Sequence, residues 1–162
     1  MTNATAVSQE KSNAFQTILI GGLIAGVLDI TAACVNGGLR GLSPLRILQS
    51  VASGLLGRGA FEGGVPIAAL GLLLQFIIAT TATAVYYAAS RKFPMLADRA
   101  LIFGPLFGIA VFFFMGSIVV PLSAAPFKIP YTVNGLATGL MIHIFCVGLP
   151  IALAVRRFVT QH

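Results

Sequence analysis

Polar residues are scarce along this chain, and where they fall divides it into four long apolar runs at about 14–35, 65–89, 100–122 and 135–155. A helix needs about 20 apolar residues to cross a bilayer, and each run meets that length. Between them lie the turn Asn36-Gly37-Gly38, a short basic link from Ser90 to Arg99, and a proline-bearing loop from Ser123 to Asn134. Short links join neighbours that run in opposite directions, so the pattern predicts an all-α membrane protein with four transmembrane helices in an antiparallel bundle. Residues 1–13 are polar and without periodicity and read as a flexible tail. Residues 14–157 form the single transmembrane domain, and 158–162 a C-terminal tail.

A shorter element stands between the first two runs. Ser43 is a good N-cap and Pro44 suits the first helical position, so a helix is expected over about 44–57. Leu45, Leu48, Ala52, Leu55 and Leu56 share one face, and Arg46, Gln49, Ser50, Ser53 and Gly57 the other. Such a helix is roughly 20 Å long, too short to span, and is expected to lie in the interface or to dip in as a re-entrant element.

Small residues recur at helical spacing inside every span. Gly22 and Gly26 in the first, Gly71 in the second, Gly104 and Gly108 in the third, and Gly135 and Gly139 in the fourth are the expected packing positions. Helices in a membrane approach where side chains are smallest, so these stripes mark the inward faces. On or beside them lie Asp29, Gln75, Ser117 and His143. Counting 1.5 Å per residue from each span's middle puts Asp29 roughly 6 Å, Gln75 roughly 2 Å, His143 roughly 3 Å and Ser117 roughly 8 Å outward. All four therefore fall in the outer half of the membrane. A carboxylate at such depth is costly and turns to protein or water. Asp29, His143 and Gln75 are the candidate intramembrane polar site. Arg46, Arg58 and Glu62, beside the short helix, are the candidate lid or anion contacts.

Composition agrees: 57% of the residues are hydrophobic and 9% charged, which places the chain in the membrane class. The net charge of +6 sits mainly at span ends, which suits anionic lipid head groups; no basic stripe with interleaved aromatics points to nucleic acid. Lys11, Arg91, Lys92, Arg99, Arg156 and Arg157 fall on one side and Arg40, Arg46, Arg58 and Lys128 on the other. The richer side is cytoplasmic by the positive-inside rule, and it carries both termini. Cys34 and Cys146 read as small apolar residues of the helices. No nucleophile elbow, phosphate-binding glycine loop or metal-ligand spacing is present, so no enzyme, cofactor or metal is expected.

Three stretches carry a resemblance. They are Leu48-Gln49-Ser50-Val51-Ala52-Ser53-Gly54-Leu55-Leu56-Gly57 with Ala60-Phe61-Glu62-Gly63-Gly64, then Val119-Val120-Pro121-Leu122-Ser123, and His143-Ile144-Phe145-Cys146-Val147-Gly148-Leu149-Pro150. Together they resemble uncharacterised four-span inner-membrane proteins of bacteria, similar to the YagU-like family. The resemblance implies a bacterial inner-membrane location and four helices, and it transfers no site residue. The expected function is small-solute or proton transport, or ligand binding, at the polar pocket. The alternative is a structural or accessory subunit that assembles with itself or a partner through its glycine-rich faces.

Overall fold

The structure is a computed structural model, and it describes residues 2–127 and 132–159. Four of its helices are long and apolar enough to cross a membrane: Asn13–Gly38, Gly64–Lys92, Ala100–Leu122 and Val133–Phe158, here spans 1 to 4. Each lies within a few residues of the run that predicts it. Span 1 is the end of a longer helix, Thr2–Gly38, so the segment expected to be a tail is helical and continues into the membrane-length part. Lys128, one of the charges in the sidedness count, lies outside the described residues, as do residues 160–162 of the C-terminal tail.

Burial is inverted relative to a water-soluble protein. Ala25, Ala52, Ala100 and Ala152 are 0% exposed, whereas Phe15 is 67% and Leu101 64% exposed. A chain folding in water would put its large apolar side chains inside. Small residues with a few large ones, Tyr86, Phe112, Ile151 and Val155, make the interior, and most bulky apolar side chains face outward, the arrangement expected where the surroundings are lipid. Interior threonine hydroxyls are satisfied within their own helices, Thr17 donating to the Asn13 carbonyl at 2.7 Å and Thr83 to that of Ala79 at 2.9 Å.

The glycines decide which spans touch. Span 1 packs on spans 2 and 4, and span 3 packs on span 4. A Cβ on Gly22 would lie 2.7 Å from the Thr80 Cα, and one on Gly26 would lie 2.7 Å from the Phe76 ring. Gly104 faces Leu149 and Ala152, Gly108 faces the backbone of His143 and Ile144, and Gly139 receives the Phe112 ring. Gly71 accommodates the Leu48 carbonyl of the short helix. Gly135 has a further role: its N–H donates to the Thr132 hydroxyl at 3.2 Å, capping span 4.

Spans 3 and 4 each contain one wide turn, Met115–Val119 and His143–Gly148. Both end two residues before a proline, Pro121 and Pro150. Proline has no N–H for the carbonyl four residues back, and a wide turn relieves the resulting crowding. The irregularity near Pro150 is a wide turn upstream of it, from His143 to Gly148.

The short helix, Pro44–Leu56, is present with the expected start: the Ser43 hydroxyl accepts the Arg46 N–H at 3.2 Å. It ends at Gly57, whose φ of 64° is a left-handed conformation that glycine adopts freely. Its two faces do not divide into one buried and one exposed. Gln49 and Ser53 are buried with Ile47 and Ala52, while Leu45, Leu55 and Leu56 are exposed. Gln49 Nε2 donates to the Gly64 carbonyl at 3.1 Å, and Ser53 Oγ to that of Ser50 at 2.7 Å. Gln49 turns to protein because span 2 supplies its partner, and Ser53 is satisfied within the short helix itself. The leucines are left outward.

Candidate functional site

The packing register between spans 1 and 2 creates the site. Gly22 meets Thr80 and Gly26 meets Phe76, so the next turn of span 1 brings Asp29 to Gln75. The Gln75 side-chain N–H donates to Asp29 Oδ2 at 2.7 Å, at the short end of the range for such bonds. Gln75 is buried and Asp29 half-buried. Two of the sequence-predicted residues are thereby joined directly.

His143 lines the same cavity from span 4. Its Nδ1 lies 3.0 Å from the Gly139 carbonyl, and its ring stands edge-on to Phe112 with centroids 5.2 Å apart. A carbonyl only accepts, so Nδ1 carries the proton in that bond and Nε2 is the acceptor of the neutral ring. The structure shows no hydrogen bond between His143 and Asp29; the two are placed on one cavity and not paired. Ser117, expected at similar depth, sits on the exposed side of span 3 and does not line that cavity. The wide turn beginning at Met115 changes the helical phase, and no residue count from the sequence carries that information.

The cavity measures about 360 Å³. Spans 1, 2, 3 and 4 contribute to its wall, and Ser50, Val51, Gly54 and Leu55 of the short helix close one side. That helix is fastened to the loop beyond span 3 by the Ala124 N–H, which donates to the Gly54 carbonyl at 2.9 Å. The short helix therefore covers the polar cluster as expected, but through small and apolar residues. Arg46, Arg58 and Glu62 are not in the wall. Arg46 lies over the Phe61 ring at 4.3 Å, and Arg58 and Glu62 are exposed on the turn that follows the short helix. The Phe61 ring holds Arg46 at the first turn of the short helix, away from the cavity wall.

Chemically the floor of the cavity is rich in acceptors. Asp29 Oδ1 and the Gln75 carbonyl oxygen take no hydrogen bond from the described residues. No buried side-chain polar atom among those residues lacks a partner, so these two oxygens face accessible space. With these two oxygens the site is built to receive hydrogen-bond donors. Among the described residues no group of three or more His, Cys, Asp or Glu side chains converges.

Gly148 and Gly21 are packing residues that the spacing argument did not single out. A Cβ on Gly148 would lie 2.5 Å from the Gly108 N, and one on Gly21 would lie 2.8 Å from the Thr83 Cγ2. The pair Gly148 and Pro150 was the available signal for the first, a small residue just before a helix-distorting proline. No family model, curated protein or solved structure matches the chain.

Proposed function

We propose that this chain is a four-span integral membrane protein that binds a small hydrogen-bond-donating solute at Asp29, Gln75 and His143, and passes it or its proton across the membrane. The observation that carries the reading is the 2.7 Å Gln75–Asp29 bond at the floor of a cavity of about 360 Å³. Pockets of about 300–1,000 Å³ are the usual size for small ligands. An intramembrane acid that lines such a space is a functional residue by default. Two wide helical turns border the same cavity, and such turns recur at functional sites.

The remaining architecture follows the sequence. Neighbouring spans run antiparallel, with both termini in the cytoplasm on the side of Arg91, Lys92, Arg99, Arg156 and Arg157, where anionic lipids meet them. The short helix is re-entrant, its leucines against lipid and Gln49 and Ser53 against protein. A bacterial inner membrane is the location implied by the resemblance.

The test is a proton- and solute-flux assay in proteoliposomes that compares wild type with Asp29→Asn. Asparagine keeps the shape and removes the charge. Loss of flux or binding in a normally folded variant supports the site; unchanged flux and binding would reduce Asp29 to a packing role. The second reading, an accessory subunit that assembles through glycine faces, is weakened because Gly22, Gly26, Gly71, Gly104, Gly108 and Gly139 all face elements of this same chain.

A further inference from the structure

We infer that the site takes a cationic amphiphile from within the bilayer, with its amine at Asp29 and its apolar tail in the gap between spans 2 and 3. The inference rests on the proposed binding role of the polar pocket and names the ligand class and its route. Spans 2 and 3 meet where the Tyr86 and Phe107 rings lie 4.9 Å apart. Beyond that point they part around a second void of about 520 Å³. Its walls are apolar side chains such as Ile77, Val85, Ala110 and Phe114, with Thr81 the one hydroxyl.

The two voids share a wall. Ile78, Ala82, Val111, Met115 and Val119 line both. Ala82 is the smallest member of that wall. Met115 is its most adaptable one, an unbranched side chain with three rotatable bonds at the start of the wide turn. In the proposed seat the ligand crosses this wall at Met115. The outer mouth of the gap lies among exposed apolar side chains, Ile77, Val85 and Phe114 among them, so hydrocarbon is what meets it.

The charge at the inner end selects the head group. Asp29 and His143 are the titratable side chains of the combined space; Asp29 is its acid, and Arg46 of the short helix and Arg58 of the turn after it lie elsewhere. An ammonium offers three donors to the acceptors left on Asp29 and Gln75. A carboxylate or phosphate head would meet an acidic side chain in a low-dielectric site and be repelled. The shape of the space calls for one polar end and one hydrocarbon end, and its electrostatics call for a cation.

The test uses the full chain in nanodiscs of zwitterionic lipid, with saturable binding of labelled decylamine, butylamine and decanol measured after subtracting empty nanodiscs. Decylamine is expected to bind at one site per chain and decanol to show no saturable binding. Asp29→Asn should weaken both amines about tenfold or more, the loss of one charge-assisted contact. Ala110→Phe, at an exposed position that lines only the gap, should weaken decylamine about tenfold and leave butylamine within about twofold. Thr81→Phe, on the facing wall, provides the same plug from span 2 and should behave alike. Equal responses of decylamine and butylamine to both plugs would overturn the lateral seat. Decanol binding as well as decylamine would overturn the cationic head. If neither amine binds saturably while Asp29→Asn still changes solute flux, the amphiphile is wrong and the polar pocket stands. If flux is unchanged as well, both readings fall.

Discussion

Substituting Gly148→Ala should loosen the contact between spans 3 and 4, although alanine is the better helix former. In an ordinary helix interior the change would stabilise by about 1 kcal/mol through propensity. At this position the new methyl would lie 2.5 Å from the Gly108 N and 2.7 Å from the Gly108 Cα, and closer still to the Gly104 carbonyl oxygen. Ordinary van der Waals contact begins near 3.4 Å. All three obstacles are backbone atoms, so no rotamer change relieves them and the helices must move apart by about 1 Å. Overpacking costs about 1–3 kcal/mol, and a clash against rigid backbone belongs at the upper end. Setting about 3 against about 1 leaves about 2 kcal/mol of destabilisation. Reversible unfolding of the full chain in mixed micelles, followed by helicity, measures it. Gly38→Ala serves as the control, because no atom lies within 4 Å of a Cβ there, and it should be neutral within about 0.5 kcal/mol. A Gly148→Ala protein as stable as wild type would refute the backbone contact between these spans.

Two further outcomes follow from the architecture. On the proposed sidedness, an impermeant maleimide added to intact cells should label Cys34, near the Gly38 end of span 1, far more than Cys146, which lies mid-span; labelling of Cys34 only after lysis would invert the sidedness. Spin labels placed along Pro44–Leu56 should report oxygen accessibility with a period of about 3.6 residues, highest at Leu45, Leu55 and Leu56 and lowest at Gln49 and Ser53. Maximal accessibility to water at Gln49 would return that helix to the membrane surface.

The apolar runs and their breaks determined the four long helices. Only backbone hydrogen-bonded within a segment survives in lipid, so length and composition suffice to mark a span. Capping was equally legible at Ser43-Pro44, because an N-cap acts over three residues and needs no partner from afar. Depth counting brought Asp29, Gln75 and His143 to one cavity, since rise per residue is nearly constant in a helix.

Tertiary packing decided the rest. The short helix turned its leucines outward because span 2 offers Gln49 the Gly64 carbonyl, and at Gly71 room for the Leu48 carbonyl. A face read as apolar is not thereby an inward face when lipid is the surrounding medium. Ser117 left the cluster and His143 came to the head of a wide turn because Pro121 and Pro150 each remove a donor, which shifts helical phase by an amount that spacing does not encode. The partner of Asp29 was also a matter of packing. Close approach at Gly22 and Gly26 sets the register that delivers Gln75 to the carboxylate, while His143 stays tied to Gly139 on its own helix.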